Sequence, residues 1–191
     1  MRLCKAVVLG ALFCGLMLGC QSKPETAEDK SSMQADTRTT VTSTLDRLYE
    51  VQPKSKDAVA KSAGYAVFNN FGMKIGVAGS GTGKGIAINN KNKQETFMRM
   101  AELQAGLGLG VKKFSLVWVF ETQEAYDNFI NKGWEFGAQA NASAQAGDQG
   151  GSLAGALAVA PGVWLYQMTD AGLALELTAK GTKYYKDTGL N

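Results

Sequence analysis

Histidine is absent from all 191 residues. That excludes a His-based catalytic triad, a His metal site and a His general base. Cysteine occurs three times, at Cys4, Cys14 and Cys20, all in the first twenty positions. The rest of the chain therefore offers no disulfide, no thiolate metal site and no thiol nucleophile. An excess of either sign of charge is lacking as well: 20 Lys and Arg stand against 17 Asp and Glu. Without Arg2 and Lys5 the balance is close to neutral, which argues against a nucleic-acid partner. No Ser-x-x-Lys occurs after Cys20, and the carboxylates are scattered, so nothing points to catalysis and no cofactor or metal is implied.

The N-terminus, MRLCKAVVLGALFCGLMLGCQS, combines a basic start with an apolar run from Ala6 to Leu18. The run has the length of a signal h-region and is short for a permanent membrane span. It ends Leu16-Met17-Leu18-Gly19-Cys20, which resembles the lipobox of bacterial lipoproteins. The resemblance implies cleavage after residue 19 and acylation of Cys20 with palmitate-type chains. Two or more chains would anchor stably where one would not. Gln21, in place of Asp, favours the periplasmic face of the outer membrane over the inner membrane, again by resemblance. Residues 20–40 are polar and of mixed charge, and read as the lipidated N-terminus and a flexible tether.

What the chain has in abundance is glycine, 23 in all. The stretch GYAVFNNFGMKIGVAGSGTGKGIAINN, Gly64 to Asn90, holds seven of them among alternating apolar residues. Gly83-Lys84 within it invites a phosphate-loop reading. The loop's leading glycine is replaced by Ala78 and its metal-binding hydroxyl by Gly85, and the dinucleotide pattern G-x-G-x-x-G also fails. A strand-like Ile86-Ala87-Ile88 follows, where both nucleotide motifs open a helix. The stretch is expected to be a glycine-rich β-hairpin with Lys84 at its tip and no nucleotide bound.

Around it, Val41, Leu45, Leu48 and Tyr49 recur at helical spacing, and Lys54 to Ser62 reads as a second helical segment. The stripe fits a helix packed on its own sheet better than one lying on a membrane. Glu95 to Val111 alternates glycine with large apolar residues through Gly106, Gly108 and Gly110. A glycine face admits a second backbone, a helix or an acyl chain at close range. Lys112-Lys113 reads as a basic turn, and Ser115 to Phe120 as a buried central strand. Thr122 is an expected N-cap, with Glu124 in the first turn and Gly133 as the stop. Trp134 to Gln145 alternates, and Ala146 to Gly162 reads as a loop in preference to a glycine zipper. Val163 to Met168 and Leu173 to Thr178 flank a hairpin turn at Thr169-Asp170-Ala171-Gly172.

Five landmarks then fall in order: Ala63-Gly64-Tyr65-Ala66-Val67-Phe68, the glycine-rich segment, Glu102-Leu103-Gln104-Ala105-Gly106, Val117-Trp118-Val119-Phe120-Glu121-Thr122, and Gly172-Leu173-Ala174-Leu175-Glu176. Together, across residues 41 to 187, they resemble SYLF-domain proteins. That family includes eukaryotic phosphoinositide binders, among them actin-bundling proteins of yeast, and bacterial members regarded as lipid-binding. The expected organisation is a leader over 1–19, a lipidated tether over 20–40 and a SYLF-like domain over 41–191. The expected fold is α+β: a strongly curved antiparallel sheet, open to barrel-like closure, under short helices. The expected function is non-enzymatic binding of anionic phospholipid, or a phosphoinositide-like lipid, by an envelope lipoprotein. Lys74, Lys84, Lys112 and Lys113 are the candidate head-group contacts. The alternative is a structural or adaptor lipoprotein that binds another envelope protein.

Overall fold

The computed structural model describes residues 24–135, 153–170, 172–174 and 181–191, and within the strands the side chains of all but 74–78, 104–109, 111–112 and 174. The segment read as a leader, Cys20, residues 136–152 with most of the second alternating stretch, and residues 175–180 lie outside this description.

Helix α1 (Ala27–Val51) begins at a capping box, in which Thr26 Oγ1 accepts from the Asp29 amide and Asp29 accepts from the Thr26 amide. These reciprocal bonds satisfy two of the donors a helix start leaves open. The helix therefore occupies most of the segment read as a tether, and it is not one of the short helices expected. Its apolar positions are few, but Thr37 and Thr44 are buried and turn their hydroxyls onto the carbonyls of Met33 and Thr40. That leaves their methyl groups free to pack on the sheet. The far end of the chain helps to hold it: Gln34 Nε2 donates to the Leu190 carbonyl at 2.7 Å and Lys30 Nζ to that of Asn191. Helix α2 (Lys54–Lys61) follows Pro53.

Strand β1 (Gly64–Asn89) and strand β2 (Glu95–Phe120) are each 26 residues long and pair antiparallel from Gly64↔Phe120 to Ile88↔Glu95. The hairpin turn is Asn90–Gln94, where Asn89 Oδ1 and Asn92 Oδ1 accept from the amides of Lys91 and Gln94. Two expectations are corrected here. Lys84 is not at a tip but within β1, opposite Arg99, and Lys112-Lys113 is not a turn but part of β2. Local sequence cannot separate a glycine that makes a turn from a glycine that admits a neighbour, and these are of the second kind.

A straight strand would separate Asn70 from Gly81 by roughly 36 Å. Instead, a Cβ built on Gly81 would lie 3.2 Å from the Asn70 side chain, and one on Gly83 2.8 Å from the Asn69 carbonyl oxygen. Strand β1 thus curls until its second half crosses its first. Gly72, Gly81, Gly83 and Gly85 are buried, while Phe71, Met73, Ser80, Thr82 and Lys84 are exposed. The buried set is even-numbered before the bend and odd-numbered after it. Between the two sets the register with β2 shifts at Gly76/Ala78, with the extra residue on β2, and such a bulge bends the ribbon and increases its local twist. Buried glycines flank the bend on both sides.

The other edge of β2 carries β5 (Val163–Thr169) along Ser115–Phe120 and β7 (Thr182–Lys186) along Met98–Glu102. Beyond these lie β4 (Leu157–Ala160) and β6 (Gly172–Ala174) on β5, and β3 (Trp134–Glu135) on β7. The result is an α+β fold whose antiparallel sheet is strongly curled, as expected, and Thr169↔Gly172 closes the anticipated hairpin. Phe114 and Leu116 to Phe120 are buried on both faces.

One core fills the concave side. Trp118 packs against Tyr184, Phe129 and Trp134 at centroid distances of 5.1, 5.1 and 5.6 Å, and Phe68 meets Tyr184 at 4.9 Å. Helix α3 (Gln123–Lys132) supplies Phe129 and Tyr126. Thr122 Oγ1 accepts from the Ala125 amide, and Gly133, at φ 74°, ends the helix, both as read from the sequence. The second core joins Val41 and Leu48 of α1 and Val59 of α2 to Val67, Val117, Trp164 and Tyr166. The amphipathic stripe therefore faces the protein's own sheet.

Candidate lipid-binding cleft

Where α1 passes over the crossing of β1 and β2, a cleft of about 650 Å³ opens between helix, sheet and the β5–β6 turn. That is within the range of small-molecule sites. Its floor is polar and mutually bonded. Asn69 Nδ2 donates to Thr44 Oγ1 at 2.8 Å, and Asn69 Oδ1 accepts from Ser115 Oγ at 2.7 Å. One amide thus ties helix α1 to both long strands. Arg47 reaches in from α1 and donates through Nη2 to the Thr169 carbonyl at 2.6 Å, which fixes the turn against the helix.

Lys84 and Lys113 line the cleft from β1 and β2, and both are exposed. Phe71, directly across from Lys113 in the ladder, is 48% exposed and lines it too. Cross-strand partners share a face, so an ammonium group and a bare aromatic ring stand together at the mouth. Asp36 and Asp170 are the acidic lining residues against Arg47, Lys84 and Lys113, since the Arg99 guanidinium is buried and paired with Asp187 at 2.6 Å. The balance favours an anion. Among the described residues no group of His, Cys, Asp and Glu could hold a metal ion, and no helix is long and apolar enough to cross a membrane.

Beneath the cleft the two halves of the ribbon are latched. The Glu102 carboxylate, almost fully buried, accepts from Asn70 Nδ2 at 2.7 Å. Nearby, burial raises the Tyr184 phenol well above its ordinary pKa and the Glu102 charge raises it further, against a hydrogen bond with Trp118. The ring therefore stays neutral at any physiological pH.

Of the residues singled out in the sequence, Lys84 and Lys113 come together here. Lys74 and Lys112 stand further out on the ribbon, opposite Gly110 and Gly72, with side chains outside the description. Cys20 lies outside it altogether. Arg47 and Asn69 escaped sequence reasoning. The signal for Asn69 was present, since Asn69-Asn70 interrupts an apolar strand with two adjacent amides. Arg47 carried none, being one polar residue on the polar side of a helix.

No protein-family model matches the chain. It is similar to the Beta cell expansion factor A of Aeromonas veronii, with 30% identity over 146 residues, which make up 76% of this chain and 54% of that protein. The chain spans about half the length of that curated relative.

Proposed function

We propose that this protein is a non-enzymatic lipid-binding lipoprotein of the bacterial envelope, SYLF-like in kind, whose domain takes the head groups of anionic phospholipid. The observation that carries this reading is the pairing of exposed Lys84 and Lys113 with the half-exposed ring of Phe71 around one cleft. A phospholipid presents that combination of anionic head and apolar tail. Cys20, if acylated as its lipobox-like setting implies, holds the domain at the membrane, on the periplasmic face of the outer membrane. Lys74 and Lys112 extend the basic character along the ribbon. The five sequence landmarks that resemble SYLF domains support the same reading.

The test is co-sedimentation of the chain from residue 20, with Ser in place of Cys20, so that neither leader nor acyl group contributes. All the described residues are retained. Anionic vesicles should pull the protein down and neutral vesicles should not, with binding weakened as salt screens the surface. Equal sedimentation with both would sink the head-group assignment. Absence from both, with an envelope protein captured by crosslinking in cells, would favour the adaptor reading.

A further inference from the structure

The crossing of β1 on itself has a topological consequence. With Asn70 against Gly81 and Glu102, residues 71–80 of β1 and 103–113 of β2 form a closed bow of two-stranded ribbon beyond the latch. The bow concentrates what the remaining surface hides. Among the described residues four large apolar side chains are exposed, and three belong to it: Phe71 at 48%, Met73 at 47% and Leu103 at 74%. The fourth, Val51, ends α1.

The charge pattern is equally one-sided. No carboxylate occurs between Asp57 and Glu95 or between Glu102 and Glu121, so the bow's only formal charges are Lys74, Lys112 and Lys113. Ile75, Val77, Leu107, Leu109 and Val111 fall in the same segment of sequence. Exposed apolar groups with a purely basic accompaniment complement an anionic bilayer, in which aliphatic and aromatic groups enter the acyl boundary and ammonium groups remain among phosphates. A soluble protein partner would ordinarily be met by a rim of both signs.

We propose that this bow is the element that enters the membrane, seating the domain on an anionic phospholipid bilayer with Phe71, Met73 and Leu103 in the head-group and acyl boundary. The proposal rests on the lipid-binding reading above and adds to it an orientation and an inserting surface. Depth follows from charge. Lys113 stands opposite Phe71 in the ladder, and its ammonium stays among the phosphates while the ring enters the boundary, so insertion is shallow. Lys84, which lines the same cleft, then stands at head-group level, which places the mouth of the cleft against the lipid.

The test uses the chain from residue 20 with Cys20→Ser, which is cysteine-free, and adds Leu103→Cys labelled with an environment-sensitive fluorophore. A second labelled protein carries Gln123→Cys on the exposed start of α3. Vesicles contain phosphatidylglycerol and phosphatidylcholine, with and without brominated chains. The label at 103 should shift to the blue and be quenched by brominated lipid, and the label at 123 should do neither. In parallel, Leu103→Asp, at a site too exposed to matter for folding, should lower vesicle affinity at least tenfold. Retained co-sedimentation with a water-exposed label at 103 would overturn insertion while leaving head-group binding intact. A blue shift that follows protein concentration without vesicles would assign the bow to a second copy of the chain and overturn it too. Failure of the parent protein to bind any vesicle would remove both proposals.

Discussion

The carbonyl oxygen of Val67 occupies the space that a Cβ on Gly85 would require, although the two residues lie in the same strand. The obstruction is backbone, and the Phe68 ring crowds the same point, so no rotamer change relieves it. Gly85→Ala should therefore cost about 1–3 kcal/mol, the range for overpacking a closed site. Gly110→Ala, where an added Cβ meets nothing within 4 Å, should be neutral or slightly stabilising. Urea unfolding of the two variants measures the contrast. Equal stabilities would mean that the strand halves do not cross so closely.

The buried pair of Arg99 Nε and Asp187 Oδ2 ties β2 to the C-terminal turn, where Asp187 Oδ1 also accepts from the Gly189 amide at 2.9 Å. Removing one member leaves the other charge buried, which costs about 3–5 kcal/mol. Asp187→Ala should show that loss in chemical denaturation. Arg99→Met with Asp187→Leu, which removes both charges, should recover much of it.

Alkaline pH should weaken the fold through its buried tyrosines. Burial pushes the Tyr126 phenol up to about 12, with the Asp127 and Tyr65 charges adding to it and a hydrogen bond with Thr96 opposing. Tyr49 is pushed to about 12 by burial, Tyr65 and Asp46. Unfolded tyrosines ionise near 10. Between pH 10 and 12 the unfolded chain binds fewer protons than the folded one, so stability falls as pH rises through that window and is fully present below it. Thermal melting across pH 8–12, with phenolate absorbance followed in parallel, checks the sign. Tyr126→Phe should make the decline shallower.

How much of this was legible in the sequence depended on how local its cause was. Thr122 and Gly133 bounded α3 correctly because a hydroxyl cap and a positive-φ stop act within one turn of chain. The N-terminal half of α1 looked like a tether because its stabilisation is remote: Thr37 packs on the sheet, and Gln34 and Lys30 are held by the carbonyls of Leu190 and Asn191. The alternation of Gly64–Asn89 identified strand, but not that one strand spans it all. Glycines 81, 83 and 85 serve a contact with residues more than ten positions earlier, which no window of neighbours reveals. Lys84 and Lys113 were named as candidates, yet the cleft they share needed Asn69, Thr44 and Ser115 brought together from three elements.

Asn69 itself is a prediction of that kind. Asn69→Ala strips the bonds to Thr44 and Ser115, worth about 0.5–1.5 kcal/mol each, and loosens α1 from the crossing. Hydrogen exchange should rise in α1 around Thr40–Arg47 and remain unchanged in α3. Uniform protection in both helices would show that the amide does not hold the cleft together.

The central claim is that the domain itself, apart from any acyl anchor, recognises anionic lipid through Lys84 and Lys113. The most direct measurement is the affinity of the chain from residue 20 with Cys20→Ser for phosphatidylglycerol–phosphatidylcholine vesicles, compared with the same protein carrying Lys84→Gln and Lys113→Gln. Each basic residue near such a surface contributes about 1 kcal/mol, so the double variant should bind about tenfold or more weakly at moderate salt. Lys132→Gln on α3 should bind as the parent does. Equal affinity of the double variant and the parent would contradict the account.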